Sequence, residues 1–425
     1  MKIALVAGVQ SGCGKTTATL ALMQHLHTAG YSVAPFKSGP DFIDPMWHRA
    51  VTGRVSYNLD THMMGDDACR ERVQAGRRED VAIIEGVMGL FDGRAGVGGK
   101  GSSVDLARTL NISVWLVVDA KGMAGSIVPL VAGFCAEAKK VGVAISGIIA
   151  NQVGSEYHAK LLTDLLSEHG LPPVIAWLDK AAQALPERHL GLKMPSEMDI
   201  PDFSSSLHTD ADQLLAACDE LRPLARSLHN HSPRLKNRCI AIARDEGCCF
   251  IYQDNIDWLK EQGAALQFFS PLQGDSVPEN CHAVWLPGGY PELHAKRLSQ
   301  SATWDSLRKH IEADKPVLAE CGGMMLLGSA LIDHSNTAWP MANILPYTTR
   351  MQDRLAALGF REDASGARGH EFHHSTRTPE IELPPAFTLS RGDNGMRYRN
   401  LRASYIHWWF PSAPAVVAGW LGGEV

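Results

Sequence analysis

The sequence lacks a strong charge imbalance and lacks any long apolar run. Its 425 residues carry 40 basic and 46 acidic side chains, a formal net charge of -6, so the total charge gives no general attraction to nucleic acid or to an anionic membrane. We find no apolar run of about 18 residues, which a membrane-spanning helix would need. The apolar start Ile3–Val9 is too short for a signal peptide. With 45% hydrophobic and 20% charged residues, the composition is that of a folded globular protein of two or three domains.

Paired cysteines are also lacking. The chain has nine cysteines, an odd number, and apart from the adjacent Cys248 and Cys249 they are scattered singly, with no CxxC pair. Neither a disulfide framework nor a zinc finger is therefore expected, and a reducing cytoplasm is the predicted compartment.

What is present in the first half is an alternation of short apolar runs with helical stretches. Short buried strands separated by helices predict an α/β fold with a mostly parallel sheet covered on both faces. Ligands of such sheets bind at the carboxyl ends of the strands. The predicted strands are Lys2–Ala7, Ser32–Phe36, Val81–Glu85, Val114–Asp119 and Ala144–Asn151, and the predicted helices are Thr16–Ala29 and Tyr157–Gly170.

A second alternating series follows a stretch that is rich in turn residues. We interpret residues 201–237 as a linker with a helix near Asp210–Leu228. Two α/β domains are therefore predicted, residues 1–200 and residues 238–425. The predicted strands of the second domain are Cys239–Ala243, Ala265–Phe269, Ala283–Leu286 and Pro316–Glu320.

The segment Gly8–Thr17 lies directly between a strand and a helix and has the features of a phosphate-binding loop. Its glycines let backbone N–H groups converge on phosphate oxygens, Lys15 can reach the outer phosphates and the Thr16 hydroxyl can ligate Mg²⁺. The spacing departs from GxxxxGK[ST], because Val9 stands where the first glycine is expected. The alternative is a glycine-rich turn that binds no nucleotide. We assign ATP binding to Ser11, Gly12, Gly14, Lys15, Thr16 and Thr17.

Two carboxylate segments follow neighbouring predicted strands. Asp41 and Asp44 come just after Ser32–Phe36, and Glu85 ends the run Val81–Glu85. Nucleotide-bound Mg²⁺ is held by one or two carboxylates together with phosphates and water, and Asp41 and Glu85 would supply them beside Thr16. For Asp44 the competing interpretation is a cap of the next helix.

In the second half, Cys321 lies between a short apolar strand and a probable helix. A nucleophile on such a turn is held exposed, the following N–H of Gly322 faces a developing oxyanion, and a helix N-terminus favours the thiolate. Gly289 follows another strand and offers a second oxyanion N–H, and His407 is the candidate base. The alternative for any free cysteine is a small buried hydrophobic residue.

The segment His370–His374 formally matches the zinc-protease motif HExxH. That motif requires a helix, whereas the flanking glycines, serine, threonines and proline are poor helix formers. We therefore interpret these histidines as solvated or substrate-facing rather than as zinc ligands.

Taken together, these motifs resemble the cobyrinic acid (or hydrogenobyrinic acid) a,c-diamide synthases, a group of glutamine amidotransferases. The resemblance covers essentially the whole chain, and it accounts for residues 368–373 as an element of that family rather than a metal site. It is carried by Gly8–Thr17, Lys37–Pro45, Asn58–Asp60, Glu85–Gly93, Leu185–Leu192, Ala243–Asp245, Phe269–Leu272, Gly288–Glu292, Ala319–Gly323, Arg368–His373 and Ser404–His407.

The resemblance implies a dethiobiotin-synthetase-like P-loop domain followed by a class I glutamine amidotransferase domain. The implied activity is the ATP- and Mg²⁺-dependent amidation of the a and c carboxylates of a corrin-type macrocycle through an acyl phosphate, with glutamine or ammonia as nitrogen donor. By the same resemblance Asp41 and Glu85 hold Mg²⁺, while Asp44 and Ile43 contact the substrate. No nucleic acid or membrane partner is implied, and a homodimer is the candidate assembly.

The sequence departs from many class I amidotransferases at the base. Their histidine is followed two residues on by glutamate, whereas here that position is Trp409, so the orientation of His407 is left unexplained. The alternative functions are cobyric acid synthase, nickel-sirohydrochlorin a,c-diamide synthase and a P-loop nucleotide switch without enzymatic amidation.

Overall fold

The computed structural model describes residues 1–94, 97–180, 185–188, 191–223 and 233–423. The chain divides into two compact units, residues 1–227 and 228–425. None of the helices in these described ranges is both long and apolar enough to cross a bilayer.

The first unit is built around one mostly parallel sheet. Among its described residues, nine strands join this sheet, in the order β10-β7-β6-β5-β1-β4-β2-β3 with β11 beside β1. Only β10 and β11 run antiparallel to their neighbours, and β8 and β9 form a separate hairpin. The strands are Lys2–Gly8 (β1), Val33–Ser38 (β2), Tyr57–Leu59 (β3), Val81–Gly89 (β4), Val114–Asp119 (β5), Ile145–Val153 (β6), Val174–Asp179 (β7), Glu187–Arg188 (β8), Gly191–Leu192 (β9), Leu207–His208 (β10) and Asp219–Glu220 (β11).

Helices lie between the successive strands, as the alternating sequence predicts. The core side chains of β1, β4 and β5 are fully buried, because a parallel sheet is covered on both faces. The helices are Lys15–Thr28 (α1), Ile43–Thr52 (α2), Asp66–Ala75 (α3), Ser103–Leu110 (α4), Ile127–Lys140 (α5), Glu156–Glu168 (α6) and Ala211–Ala217 (α7), with 3₁₀ turns at Pro195–Glu197 and Ser204–Ser206.

The helix predicted near Asp210–Leu228 is shorter than expected. Asp210 starts it by accepting the N–H groups of Asp212 and Gln213, but α7 ends at Ala217. The chain then pairs through β11 with Lys2 and Ile3, so sheet pairing replaces further helix. Although the turn-rich sequence predicts a linker, residues 207–220 thus add two strands to the first sheet; residues 224–228 of the predicted helix lie outside the described ranges.

The second unit has its own central sheet, in the order β13-β12-β14-β15-β23-β22, with only β22 antiparallel. Two smaller sheets, β17-β16-β18-β21 and β19-β20-β24, accompany it. The strands are Cys239–Ala243 (β12), Ala265–Phe269 (β13), Ala283–Leu286 (β14), Val317–Glu320 (β15), Ala330–Ile332 (β16), Ala338–Pro340 (β17), Tyr347–Met351 (β18), Ala357–Glu362 (β19), Arg368–His373 (β20), Ser375–Pro379 (β21), Met396–Tyr398 (β22), Leu401–Ser404 (β23) and His407–Trp409 (β24).

Short helices and an aromatic core complete this unit. Trp285, Trp408 and Phe410 are fully buried in one cluster with Leu318. This cluster includes side chains of β14 and β15, and the candidate nucleophile directly follows β15. The helices are Gln253–Glu261 (α8), Ala295–Leu298 (α9), Thr303–Glu312 (α10), Gly322–Met325 (α11) and Pro414–Trp420 (α12), with 3₁₀ turns at Pro271–Gln273, Pro291–His294 and Phe410–Ser412.

The α/β fold class predicted from the sequence is confirmed. Four predicted strands, Val114–Asp119, Cys239–Ala243, Ala265–Phe269 and Ala283–Leu286, have the predicted bounds. The other predicted strands and the two long helices differ by one to four residues at an end, as expected for element ends.

Candidate active sites in the two units

The predicted phosphate loop connects β1 to α1 and is held in place by a neighbouring strand end. Gly14 has φ +87°, and a Cβ at this position would lie 1.9 Å from Nδ2 of Asn151, so this position requires glycine. The same Nδ2 donates a hydrogen bond to the carbonyl of Cys13 at 3.0 Å. The loop therefore presents the N-terminus of the 14-residue helix α1 at the carboxyl end of the sheet, an arrangement that favours anions.

Glu85 lies at the centre of the polar network beside this loop. Its Oε1 accepts the hydroxyl proton of Thr16 at 2.6 Å and lies 3.1 Å from Nζ of Lys37 and 3.5 Å from Nζ of Lys15. Its Oε2 lies 2.8 Å from Nε2 of His48. Glu85 is fully buried. It lies next to Lys15 and Thr16 of the phosphate loop, near which the sequence analysis expected it.

Asp41 and Asp44 have different environments. The carboxylate of Asp41 accepts the N–H groups of Ile43 and Asp44, at 2.8 and 2.9 Å, at the start of α2. Asp44 instead forms an ion pair of 2.5 Å with the buried Lys37. The helix-cap interpretation weighed for Asp44 is therefore wrong, because Asp44 lies inside the first turn of α2 and the side chain that accepts N–H groups at the helix start is that of Asp41.

The charges in this network shift one another's pKa values. Burial by itself lowers the pKa of Lys37, but Asp44, Glu85 and Asp41 outweigh it and raise that pKa. Burial raises the pKa of Asp44 to about 7, with Asp41 and Glu85 adding to the effect and Lys37 opposing it. Burial also acts to raise the pKa of Glu85, yet Lys37 and Lys15 and the hydrogen bond from His48 hold it well below its usual range. Glu85 is thus an anion in a network that also holds two lysines.

The donor set of this network suits Mg²⁺. The hydroxyl of Thr16 and the carboxylate of Glu85 are hard oxygen ligands 2.6 Å apart at the end of the phosphate loop, and a nucleotide-bound Mg²⁺ needs only one or two such protein ligands. No cluster of three acidic, histidine or cysteine side chains with metal-binding geometry occurs within the described ranges. A dedicated protein cage is therefore not the arrangement here, and the oxygens fit an ion that arrives with phosphates.

Cys321 occupies a tight turn between β15 and α11. It has φ 45° and ψ -110°, a conformation that residues other than glycine rarely adopt and that concentrates at functional sites. Its N–H donates to the carbonyl of Ser404 at 2.8 Å. The predicted strand-to-helix turn is thus present, but the prediction that it holds the nucleophile exposed is wrong, because Cys321 is only 6% exposed.

His407 and Cys321 both lie against Gly288. A Cβ added to Gly288 would lie 2.3 Å from Cε1 of His407 and 3.2 Å from Cβ of Cys321. The predicted base and nucleophile, 86 positions apart in the printed sequence, are therefore brought together around one glycine. Neighbouring Phe250 donates its N–H to the carbonyl of Gly288 at 2.9 Å.

The two predicted oxyanion donors are also adjacent. A Cβ on Gly322 would lie 2.9 Å from the backbone nitrogen of Gly289, so this nitrogen and the Gly322 backbone lie beside Cys321. The N–H of Gly322 bonds to the Cys321 sulfur and acts to lower its pKa. Both glycines thus lie where N–H groups can serve a reaction at the sulfur.

The prediction that a helix N-terminus favours the Cys321 thiolate is wrong. Burial raises the pKa of the Cys321 thiol to about 12, and Glu292, Glu320 and Glu371 add to the rise. The following helix has only four residues, so its dipole is small. Burial, together with His370 and His373, holds the pKa of His407 well below its usual range. Both shifts favour the uncharged forms, so in the resting site the pair is a neutral thiol and a neutral imidazole.

The HExxH segment forms a β-strand, which supports rejection of the zinc motif. Of the two interpretations of these histidines, solvated or substrate-facing, the first is wrong for His370, which is 4% exposed. Its ring stacks on that of His407 with centroids 5.1 Å apart, and its Nδ1 lies 2.8 Å from the hydroxyl of Tyr252. Burial lowers the pKa of His370 to about 3, so a neutral ring supports the base.

Glu320 also contributes to this site, although the sequence analysis did not single it out. Its buried carboxyl group accepts the N–H of Trp408 at 3.1 Å and so fastens the strand that carries His407. Burial raises the pKa of Glu320 to about 8, against the effect of this hydrogen bond. Glu320 could have been found from the sequence, because it is a charged residue in an otherwise apolar strand, directly before the nucleophile.

Comparison with known proteins gives two matches that divide the chain between them. Residues 4–190 match the family described as CobQ/CobB/MinD/ParA nucleotide binding domain. Residues 239–415 match the family described as CobB/CobQ-like glutamine amidotransferase domain.

Whole-chain relatives carry two closely related names. The cobyrinate a,c-diamide synthase of Herminiimonas arsenicoxydans is 40% identical over 100% of this chain and 97% of its own length. The chain belongs to the cobyrinate a,c-diamide synthase family. Another relative of that name, from Priestia megaterium, is 37% identical over 98% of this chain and 96% of its own. The hydrogenobyrinate a,c-diamide synthase of Stutzerimonas stutzeri is 38% identical over 98% and 97%.

Membership in the cobyrinate a,c-diamide synthase family confirms the resemblance seen in the sequence and the enzymatic class. The nucleotide-binding match lies within the first unit, which holds the phosphate loop, and the amidotransferase match lies within the second, which holds Cys321. A nucleotide switch without amidation is thereby excluded, because a switch has no use for a glutamine amidotransferase domain.

Proposed function

We propose that this chain amidates the a and c carboxylates of cobyrinic or hydrogenobyrinic acid in cobalamin biosynthesis. ATP is the energy source, Mg²⁺ accompanies it, and glutamine or free ammonia supplies nitrogen. A cytoplasmic location, a homodimeric assembly and the lack of nucleic acid and membrane partners stay predictions.

The observation that carries the proposal is the network around Glu85. A carboxylate substrate is a poor electrophile, and phosphorylation to an acyl phosphate makes it reactive toward ammonia. Lys15 and Thr16 at the loop, with Glu85 between them and Lys37, bring the groups that hold phosphates and a divalent ion to one edge of the sheet. When bound, Mg²⁺ would neutralise phosphate charge, with Thr16 and Glu85 as its protein ligands and Asp41 as the further candidate.

Lys37 and Asp44 suit a role at the substrate side of this network. Nζ of Lys37 lies 2.5 Å from Asp44 and 3.1 Å from Glu85, so it joins the two carboxylates, and we assign Asp44 and the neighbouring Ile43 to substrate contact. With a pKa raised to about 7, Asp44 can exist with or without its proton near neutral pH. Such a group can hold ammonia or accept a proton from it as the amide forms.

In the second unit, Cys321 and His407 would hydrolyse glutamine. His407, held neutral by burial, takes the thiol proton as the sulfur attacks the amide carbon of glutamine. The backbone N–H groups of Gly289 and Gly322 stabilise the oxyanion. The protonated His407 returns the proton to the leaving nitrogen, so that ammonia leaves and a thioester remains, and water then releases glutamate from the thioester.

Two variants test this division of labour. Cys321→Ser is expected to abolish glutamine-dependent amidation while saturating ammonia still supports it. Lys15→Ala is expected to stop amidation from either nitrogen source while glutamine hydrolysis persists. Loss of both activities in Cys321→Ser, or full ammonia-dependent turnover in Lys15→Ala, would refute the assignment.

The substrate is tested separately by mass spectrometry of the products. Cobyrinic acid, hydrogenobyrinic acid, nickel-sirohydrochlorin and a later adenosylated corrinoid are offered side by side with ATP and ammonia. The proposal expects a doubly amidated product from one or both of the first two. Exclusive turnover of the nickel compound, or product only from a later adenosylated corrinoid, would instead support the nickel-sirohydrochlorin enzyme or cobyric acid synthase.

A further inference from the structure

Two cysteines far from Cys321 in the sequence lie in direct contact in the second unit. The Sγ atoms of Cys239 and Cys281 are 2.8 Å apart. A disulfide bond is about 2.05 Å long, so the sulfurs need to move by less than about 1 Å to bond. Neither residue belongs to the nucleophile, base or oxyanion groups described above.

The backbone holds this pair in place on both sides. The N–H of Cys239 donates to Nδ1 of His282 at 3.0 Å, and the N–H of His282 donates to the carbonyl of Cys239 at 2.7 Å. Lys315 donates from Nζ to the carbonyl of Cys281 at 3.1 Å. The two thiols are thus fixed side by side at the amino-terminal end of β12, where it lies next to β14.

The thiols differ in exposure. Cys281 is 1% exposed, whereas Cys239 is only partly buried. Burial and the contact with Cys239 raise the pKa of Cys281 to about 12, although Lys315 opposes the rise. A reagent from solution therefore reaches Cys239 first, and Cys281 reacts only within the pair.

We propose that Cys239 and Cys281 form a thiol–disulfide exchange site that takes a low-molecular-weight disulfide such as oxidised glutathione. The Cys239 thiolate attacks one sulfur of that disulfide, forms a mixed disulfide and expels one glutathione thiolate. The sulfur of Cys281, giving up its proton, then displaces the second glutathione. The protein pair loses two electrons and two protons, and the small disulfide becomes two thiols.

The proposal goes beyond amidation and concerns a covalent modification of the same chain. Because the new bond joins the start of β12 to the segment before β14, it closes a loop that contains α8 and β13. Closing a loop of this kind restricts the unfolded chain. The oxidised protein is therefore expected to show a higher apparent unfolding temperature than the reduced protein.

The test uses the full-length protein in buffers of increasing ratio of oxidised to reduced glutathione. After rapid alkylation of free thiols, peptides are mapped by mass spectrometry without reduction. The expected result is a Cys239–Cys281 linked peptide that grows with the ratio and disappears on reduction. Cys135, which is also partly buried, serves as an internal control and is expected to form no intramolecular link.

Two variants establish the order of attack. Cys281→Ala is expected to accumulate glutathione on Cys239, because the resolving thiol is gone. Cys239→Ser is expected to leave Cys281 unmodified. A wild-type protein that stops at the mixed disulfide, that links either cysteine elsewhere or that stays fully reduced would overturn the proposal, as would glutathione on Cys281 in Cys239→Ser. Cys239→Ser changes a partly exposed position, so it keeps the test available if Cys281→Ala does not fold.

Discussion

The imidazole of His370 stacks on that of His407, with ring centroids 5.1 Å apart and planes inclined by 21°. The two residues are direct partners in the antiparallel pair β20–β24, and Tyr252 fixes His370 through a contact of 2.8 Å at Nδ1. In many class I amidotransferases a glutamate two residues after the base orients it, but here that position is Trp409. The stack on His370 gives a physical reason for the orientation of His407 without that glutamate.

Removal of this stacking support should slow glutamine hydrolysis. We expect His370→Ala to lower kcat for glutamine about tenfold or more at little change in KM, because a misplaced base costs rate rather than binding. His370→Phe, which keeps a flat ring but loses the contact with Tyr252, should retain more of the rate. Steady-state glutaminase kinetics would measure both.

The ammonia-dependent reaction controls for damage to the fold. If His370 only positions His407, amidation from ammonia should equal that of the wild type in both variants. Tyr405→Phe is a further control, because the ring of Tyr405 stacks on His373 rather than on the base. It should not lower kcat for glutamine as His370→Ala does. A fall of both activities together, or a rise in KM at constant kcat, would show that His370 acts on the fold or on glutamine binding instead.

The sequence predicted the positions of nine strands along the chain, the loop Gly8–Thr17 and the pair Cys321 and His407, because each depends on a local pattern of glycines, apolar runs and flanking polar residues. It did not predict the ion pair of Lys37 with Asp44 or the contact of His48 with Glu85, since these join segments through tertiary packing. The thiol of Cys321 shows the same limit: a local pattern predicted a helix dipole, whereas the pKa depends on burial, which only the folded chain determines.

Glu85 should be essential for amidation but not for glutamine hydrolysis. Glu85→Gln removes an anion that faces Lys15, Lys37 and His48, and it also weakens the proposed Mg²⁺ site. We expect ammonia-dependent amidation to fall by at least about 100-fold, since an interaction with developing charge in a buried site contributes several kcal/mol. ADP release in the presence of substrate and ammonia is the measurement.

The matched control is Glu79→Gln. Glu79 forms a salt bridge with Arg54 at the surface of the same unit, and such pairs contribute little to stability. It should keep wild-type turnover, and both variants should hydrolyse glutamine at the wild-type rate. Substantial ADP release by Glu85→Gln at ordinary Mg²⁺ concentrations would contradict the role assigned to Glu85.

His310 should make the stability of the second unit depend on pH. It is none of the residues that the proposed reactions use. Burial lowers its pKa from 6.5 to about 4, despite its hydrogen bond with the carbonyl of Pro316. Below pH 6.5 the unfolded chain therefore binds a proton that the folded chain does not, and this histidine makes the free energy of unfolding fall as the pH drops. In His310→Gln that contribution is absent.

The measurement is urea unfolding of the wild type and His310→Gln at pH 7.5 and pH 5.5. Subtracting the free energies of unfolding of the two proteins at each pH removes the shared contributions of other buried groups such as Glu320 and His370. Between pH 7.5 and pH 5.5 the free energy of unfolding of the variant should rise, relative to that of the wild type, by up to about 1.4 kcal/mol, the value of one pKa unit. An equal pH dependence in both proteins would mean that His310 titrates normally in the folded state.

Gly288 should tolerate no side chain at all. A Cβ there would lie 2.3 Å from Cε1 of His407 and 3.2 Å from Cβ of Cys321, so Gly288→Ala must displace the base, the nucleophile or both. We expect glutamine hydrolysis to fall by at least about 100-fold, with a loss of stability of about 1–3 kcal/mol from overpacking.

Amidation from ammonia should continue, because the phosphate loop and Glu85 lie in the first unit. Gly133→Ala is the control, since an added Cβ there meets no described atom within 4 Å beyond its chain neighbours and the nearby backbone of its own helix. Near-normal glutamine hydrolysis by Gly288→Ala would mean that His407 and Cys321 do not act together around this glycine.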